Sequence, residues 1–128
     1  FDLDNFKQIN DTYGHPAGDY VLRELSSLVQ NQLIRSEDFF ARFGGEEFCL
    51  ILSGSSLQKG LEVAERIRST VEAHRFVFND VEMKVTASVG VAALEPETRD
   101  WADIFDQADK AAYVSKQSGK NKVSTAPK

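Results

Sequence analysis

The sequence predicts an α+β fold in which helices cover a central, mainly antiparallel β-sheet. Three patterns support it: apolar stripes of helical spacing, an apolar run of period two, and two strand-like segments joined across a pair of glycines. In chain order they give strand, helix, hairpin, helix, strand and helix, and the central hairpin requires antiparallel pairing. With 128 residues, of which 41% are hydrophobic, the chain is expected to form one domain, residues 1–128, around a single core.

Charge and composition argue against several functional classes. The formal net charge of −5 disfavours nonspecific binding to nucleic acid or to an anionic membrane. No apolar run reaches the length of a transmembrane helix, so we expect a soluble, cytoplasmic segment. The lone Cys49 is expected to be a small core residue in a reducing compartment. The absence of a GxxxxGK[ST] loop excludes a Walker-type GTPase.

The first four residues resemble the end of a strand whose beginning lies upstream, so we expect the domain to be truncated at its N-terminus. On a strand, Asp2 and Asp4 point to the same face. Carboxylates at a strand end can hold a metal ion, although an exposed, solvated strand end is the commoner arrangement. A calcium-binding EF-hand loop is excluded, because Phe6 occupies its third ligand position and Lys7 its invariant glycine position.

A loop and a helix are predicted next. Residues 10–18 combine Asn-Asp, two glycines and a proline, which predicts a loop. The helix that follows has one apolar stripe, formed by Val21, Leu22, Leu25, Leu28, Val29 and Leu33. Asp19 falls in the first turn of this predicted helix, where free N–H groups favour an anion, so a capping role is sufficient to explain it.

The hairpin at residues 42–48 is the most unusual stretch of the chain. Gly44 and Gly45 separate two apolar runs, and glycine supplies the positive φ of a tight turn and lets a ligand approach the backbone. Two adjacent carboxylates, Glu46 and Glu47, follow and repel each other unless a cation or a proton relieves them. Taken alone, this stretch fits a solvated hairpin tip as well as a ligand site.

The second half of the chain predicts a helix, two strands and a last helix. Ser55 or Ser56 can cap a helix whose core stripe comprises Leu57, Leu61, Ala64, Ile67 and Val71. Residues 81–83 suit a short strand, and residues 85–92 alternate in period two. Asp100 can cap the last helix, whose apolar side comprises Trp101, Ile104, Phe105, Ala108, Ala111 and Ala112.

Four sequence blocks, taken together and in order, resemble the GGDEF family of diguanylate cyclases. They are DLDNFKQIND at residues 2–11, GHPAGD at 14–19, RSED at 35–38 and GGEEF at 44–48. These match the family patterns DxDxFKxxND, GHxxGD, RxxD and GG[DE]EF. The resemblance implies a ferredoxin-like palm, similar to nucleotide cyclases and polymerases, with the hairpin turn beside the end of the first strand.

The resemblance also implies a metal site and a reaction. Asp2, the backbone carbonyl of Leu3 and Glu46 would bind Mg²⁺ (or Mn²⁺), and Glu47 would complete a second metal position. Glu46 would also help to deprotonate the attacking hydroxyl. Two GTP molecules would be joined into cyclic di-GMP with release of two pyrophosphates. Because each chain offers one substrate site, a homodimer would be needed.

Substrate contacts follow from the same residue-by-residue match. The implied substrate-binding positions are Asn10, His15, Asp19, Gly44, Gly45, Lys116 and Lys120. Asn10 and Asp19 would read the guanine edge. Lys7 would neutralise the triphosphate together with Lys116 and Lys120. Lys120 stands where the family usually has arginine, and it replaces a planar fork with a point charge.

A product-inhibition site is implied by RSED, which stands at the family's offset from the glycine turn. Arg35 and Asp38 would bind cyclic di-GMP, with Arg66 as a candidate third member. A second reading stays open: a catalytically silent GGDEF module that senses GTP or cyclic di-GMP. The intact carboxylates and glycines of the hairpin favour the enzyme over the sensor.

Overall fold

The structure is a computed structural model that describes residues 1–94 and 100–125. In chain order the elements within those ranges are β1 (Asp2–Leu3), α1 (Phe6–Tyr13), α2 (His15–Leu28), a π-helical turn (Val29–Leu33), β2 (Phe39–Gly44), β3 (Glu47–Ile51), α3 (Leu57–Ala73), β4 (Phe76–Phe78), β5 (Val81–Met83), β6 (Ala87–Val91), α4 (Trp101–Gln117) and β7 (Lys122–Thr125). None of the helices in the described ranges combines the length and the hydropathy needed to span a bilayer.

A five-stranded sheet with the order β2-β3-β1-β6-β7 forms the centre of the fold. β1 pairs antiparallel with both β3 and β6, and β2 pairs antiparallel with β3. The outer strand β7 runs parallel to β6, since α4 provides the crossover between them. The predicted mainly antiparallel sheet with flanking helices is therefore confirmed.

The core joins the sheet to the apolar faces of the helices. Every member of the apolar stripe predicted before the hairpin is buried, as are Leu3 of β1 and Phe48 of β3. On α3, Ala64, Ile67 and Val71 are buried as predicted. Ser56 is the N-cap of α3, and its side chain accepts a hydrogen bond from the Lys59 N–H. Asp100 caps α4 in the same way.

The predicted loop at residues 10–18 is wrong. α1 continues to Tyr13 and α2 begins at His15, with only Gly14, at φ 93°, between them. Burial of Phe6 and Ile9 stabilises a helix where the local composition favours turns. The early start also removes Asp19 from the first turn of α2, so the predicted capping role is wrong as well.

Four further features differ from the sequence expectations. Of the hairpin β4–β5, the sequence predicted only the second strand. Its two turn residues, Asn79 and Asp80, both have positive φ, as a two-residue hairpin turn requires. The parallel strand β7 was missed entirely. Cys49 is half-buried rather than in the core, and on the apolar side of α4 Trp101 is 50% exposed.

Candidate active site

The hairpin turn lies against the end of β1. Asp2 is directly opposite Glu47 in the antiparallel register of β1 and β3. One residue further on, the Leu3 N–H donates to the carbonyl oxygen of Glu46 at 3.2 Å. The structure thus brings together the four residues that the sequence predicted as metal ligands, although they come from two segments more than forty positions apart.

The glycine turn has the backbone that the sequence predicted. Gly44 has φ 144° and Gly45 has φ 49°, and a Cβ atom built on either would have no heavy atom within 4 Å. The Arg42 Nε–H donates to the Gly45 carbonyl at 2.7 Å and holds the turn. A register shift between Arg42 and Gly44 adds a bulge on β2. The turn is therefore fixed by its own contacts and open on its Cβ side.

Negative charge accumulates at this end of the sheet. Burial raises the pKa of Asp2, and the carboxylates of Glu46 and Asp109 add to the rise while Lys116 opposes it. Burial also raises the pKa of Glu47, again reinforced by Asp2 and Asp109. Asp109 of α4 was not predicted as a site residue. It lies seven residues before Lys116, two helical turns away on the same face, and that spacing could have pointed to it.

The donor atoms at the strand end suit a hard divalent cation, but they form an incomplete set. Asp2, the Leu3 carbonyl and Glu46 offer oxygen ligands of the kind that Mg²⁺ prefers alongside water and phosphate. Across residues 1–94 and 100–125, no three His, Cys, Asp or Glu side chains are grouped closely enough to hold a metal ion. A cation already binds one predicted ligand, since Lys116 Nζ donates to the Leu3 carbonyl at 3.2 Å. The residues therefore fit a metal that completes its shell with water and substrate oxygens.

Two predicted phosphate-binding lysines converge on the segment between β1 and α1. Lys116 Nζ also donates to Asp4 Oδ1 at 3.2 Å. Lys120 Nζ donates to Asn5 Oδ1 at 2.7 Å. Asp4 and Asn5 were not predicted as site residues, and the long-range contacts that define their roles leave no local signal in the sequence.

The predicted guanine-reading residues lie at the corner between α1 and α2. Asn10 Oδ1 is 1.9 Å from the point where a Cβ of Gly18 would lie, so any larger residue at position 18 would displace the Asn10 amide. The side chain of Asn10 is thereby placed beside the residue that precedes Asp19. Lys7 is exposed on α1 three residues before Asn10, a spacing that puts both on one helix face, and His15 is exposed at the start of α2.

Arg35 and Asp38 form a closed pair on the other side of the hairpin. The Arg35 side chain donates to both carboxylate oxygens of Asp38, at 2.9 and 3.3 Å, and its backbone N–H donates to Oδ2 at 2.8 Å. These hydrogen bonds lower the pKa of Asp38. Arg35 Nη2 also reaches the Ser53 carbonyl at 3.0 Å. Arg66 is exposed on α3 and makes no hydrogen bond or ion pair with either partner, so its predicted membership stays a prediction.

Comparison with known proteins decides the family. The sequence profile of the family described as "Diguanylate cyclase, GGDEF domain" matches residues 1–122. The chain belongs to the GGDEF family. The chain is 43% identical over 95% of its length to Diguanylate cyclase A of Treponema denticola. It is also 46% identical over 95% of its length to the uncharacterized protein YhcK of Bacillus subtilis.

Solved GGDEF domains share the fold. The active GGEEF domain of a diguanylate cyclase from Vibrio cholerae superposes with a TM-score of 0.87 at 35% identity, over 99% of this chain and 80% of that one. The GGDEF domain of DgcB from Caulobacter crescentus, in complex with c-di-GMP, gives a TM-score of 0.88 at 30% identity, over 98% and 74% of the two chains. The predicted palm fold is therefore confirmed. The chain spans 33% of the Treponema protein and 34% of the Bacillus protein.

A cavity of about 790 Å³ in this GGDEF domain is separate from the predicted nucleotide contacts. It lies between β3, β6, α3 and α4 and is lined mainly by apolar side chains. Asp2, Glu47 and Asp109 line part of it, but the predicted guanine-reading residues and the two predicted phosphate-binding lysines, Lys116 and Lys120, do not. The polar site is therefore the surface around the hairpin turn and the start of α1, and the cavity is an apolar space beside the sheet.

Proposed function

We propose that this GGDEF domain joins two GTP molecules into cyclic di-GMP and two pyrophosphates. The observation that supports this most strongly is the complete GGEEF turn beside Asp2 and Leu3, where burial and neighbouring carboxylates raise the pKa of Asp2 and Glu47. A crowded set of carboxylates gains most from a bound cation, and a triphosphate substrate brings such a cation with it. The names of the curated relatives and the c-di-GMP complex of a neighbour support the same reaction.

In this proposal each 3′-hydroxyl attacks the α-phosphate of the other GTP. An O–P bond forms at the 3′ oxygen, the bond between the α-phosphorus and the bridging oxygen breaks, and pyrophosphate leaves with the electron pair. Glu46 helps to accept the hydroxyl proton. Asp2, the Leu3 carbonyl and Glu46 are the residues that would hold Mg²⁺ (or Mn²⁺), with Glu47 beside them; a bound divalent ion supplies charge neutralisation at the phosphates.

The remaining side chains orient the substrate. Asn10 and Asp19 would bind the guanine edge, with His15 at the same corner. Lys7, Lys116 and Lys120 would neutralise the triphosphate, and their contribution is alignment together with charge. Since one chain has one such corner and one hairpin, the proposed reaction requires two GGDEF domains facing each other around a two-fold axis. GTP is a cytoplasmic nucleotide, so the proposed location of the domain is the cytoplasm.

Product feedback is the second part of the proposal. Cyclic di-GMP would bind at Arg35 and Asp38, where a guanidinium can grip phosphate or stack on a base and a carboxylate can accept from guanine. In the free domain these two groups satisfy each other. Product must therefore replace existing hydrogen bonds, which suits inhibition that begins only once product has accumulated.

The decisive test of the reaction is incubation of the full-length protein with GTP and Mg²⁺, followed by separation of the nucleotides. Cyclic di-GMP and pyrophosphate in a 1:2 ratio are expected, with none formed when Mg²⁺ is chelated. If GTP is recovered unchanged while calorimetry shows that it binds, the domain is a nucleotide sensor. The complete hairpin favours the first outcome.

A further inference from the structure

The most completely hydrogen-bonded carboxylate in the described site is that of Asp4, which lies between β1, β6 and the turn after α4. Its residue is 2% exposed. Ser88 Oγ donates to Oδ1 at 2.6 Å and Thr86 Oγ1 to Oδ2 at 2.8 Å. Lys116 Nζ donates to Oδ1 at 3.2 Å and the backbone N–H of Asn121 to Oδ2 at 2.9 Å. Each oxygen thus accepts two hydrogen bonds, the arrangement that makes a buried carboxylate tolerable.

Two of those four donors do more than satisfy the carboxylate, because they come from the segment that bears the phosphate-binding lysines. The turn before β7 places Lys120 at φ 66° and Asn121 at φ 47°, a conformation that non-glycine residues adopt only when it is held in place. Asp4 holds it through the Asn121 N–H. From the other side, the Asn121 side chain bonds to Arg68 Nη1 at 2.9 Å and to Glu72.

As a result, Lys116 and Lys120 are both fixed at the end of β1. Lys116 is held directly, with its ammonium group shared between Asp4 and the Leu3 carbonyl. Lys120 is held indirectly, since it adjoins Asn121 in the turn and its ammonium group reaches Asn5. Asp4 itself is too deeply buried to touch a phosphate.

We propose that Asp4 is a positioning residue, whose carboxylate places Lys116 directly and Lys120 through the Asn121 N–H against the triphosphate of bound nucleotide. This role rests on the proposed function, because it assumes that the two lysines contact the β- and γ-phosphates. It differs from the role of Asp2, which faces Glu47 across the strands. Asp4 acts on nucleotide affinity through the lysines and contributes no ligand to a metal.

The test compares Asp4→Asn with Thr86→Val. Both variants remove a hydrogen bond of the same carboxylate, but Thr86→Val leaves the charge and both lysine contacts in place. Binding is measured by calorimetry with α,β-methylene-GTP, which cannot release pyrophosphate, and with GMP, which lacks the outer phosphates. Asp4→Asn should weaken the triphosphate about tenfold, the loss expected for a hydrogen bond to a charged group, with GMP affinity nearly unchanged. Thr86→Val should retain the preference for the triphosphate.

A second measurement separates this role from the proposed reaction. In the nucleotide-free protein, hydrogen exchange at the Asn121 amide should be faster in Asp4→Asn than in Thr86→Val by about tenfold. That result does not depend on turnover, so a domain that makes no cyclic di-GMP can still show it. An unchanged triphosphate preference, or equal Asn121 exchange in the two variants, would overturn the positioning role.

A double variant covers the case in which Asp4→Asn does not fold. The double variant Lys116→Met with Asp4→Asn removes both members of the ion pair, so no unpaired charge is left buried. Its reference is Lys116→Met alone. Since the turn bearing Lys120 is still released, the double variant should lose further triphosphate affinity relative to Lys116→Met. Equal affinity in these two proteins would show that Asp4 does not act through Asn121.

Discussion

The hairpin end of the sheet and the RSED turn contain similar residues in opposite electrostatic conditions. At the hairpin, Asp2 and Glu47 face each other, and burial together with neighbouring carboxylates raises the pKa of both. At the turn, Asp38 is bonded to Arg35, and its pKa is lowered. The first region therefore holds more carboxylates than Lys116 alone can offset and gains from a further cation, whereas in the second Asp38 is already paired with Arg35. This difference fits the proposed catalytic site, which needs a metal ion, and the proposed regulatory site, where product must replace the hydrogen bonds between Arg35 and Asp38.

The largest expected effect comes from the carboxylate-rich hairpin end of the sheet. Glu46→Gln removes one carboxylate of the proposed metal site with little change of shape, so turnover should fall on the order of 10²–10³-fold while the fold is retained. Cyclic di-GMP formation measures the rate, and circular dichroism checks the fold. The matched control is Glu62→Gln on the exposed face of α3, where the carboxylate lies 3.8 Å from Lys59. Near-normal turnover in Glu46→Gln would remove Glu46 from the catalytic machinery.

The next effect breaks the closed pair. Arg35→Ala should raise the cyclic di-GMP concentration needed for half inhibition about tenfold, since a charge-assisted contact to product is lost. The uninhibited rate should change little, because the contacts of Arg35 are to Asp38, Glu37 and the loop before α3. Arg75→Ala is the control, because Arg75 is likewise an exposed arginine paired with a carboxylate, that of Glu82. Product inhibition that is identical in both variants would leave RSED as a charged turn without regulatory function.

Stability against pH tests the opposite pKa shifts directly. The lowered pKa of Asp38 means that Asp38→Asn should cost about 1 kcal/mol at neutral pH, a cost that fades as pH falls through the folded-state pKa. The raised pKa of Glu47 has the opposite sign: its charged form is unfavourable at neutral pH and is relieved as pH falls toward the ordinary value of about 4.3. Metal-free Glu47→Gln should therefore melt about 2 °C higher at pH 7 and lose that gain in acid.

Thermal denaturation between pH 3 and pH 7 measures both variants in the same buffers. Added Mg²⁺ should reverse the ranking at the hairpin, because the wild-type carboxylate gains from the cation and the amide does not. A Glu47→Gln protein that is less stable than wild type without metal at neutral pH would contradict the like-charge account of this site.

The sequence predicted those features that depend on neighbours along the chain. Positive φ at Gly44 and Gly45, the Ser56 and Asp100 caps and the apolar stripe of α2 are all local, and each was confirmed. The loop expected over residues 10–18 was wrong because α1 and α2 both bury residues against the core, and that burial is a tertiary effect that outweighs the turn-forming composition.

The role of Asp4 shows why part of the site could not be predicted. Its side-chain partners Thr86 and Ser88 lie 82 and 84 residues away, and its partner Asn121 lies 117 residues away. No spacing rule links these positions. The sequence predicted Asp2 and Asp4 on one strand face, but β1 ends at Leu3 and Asp4 lies just beyond it. No local pattern could tell that Asp2 remains partly exposed beside Glu47 while Asp4 is buried under four donors.

The smallest expected effect comes from strengthening the proposed phosphate contact of Lys120 while the RSED turn is left unchanged. Lys120→Arg restores the side chain usual in the family, and its planar fork can bind two phosphate oxygens where an ammonium binds as a point charge. Lys120 already has positive φ, which arginine tolerates no worse, so the backbone should not change. We expect KM for GTP to fall about two- to threefold, less than a full charged hydrogen bond since charge is conserved, with kcat nearly constant. Inhibition by cyclic di-GMP should be unaffected, because Arg35 and Asp38 bond to each other and to the loop before α3. Steady-state kinetics with and without product measure both quantities in one series. A KM that stays the same or rises would show that Lys120 does not reach the triphosphate and that its bond to Asn5 is its main role.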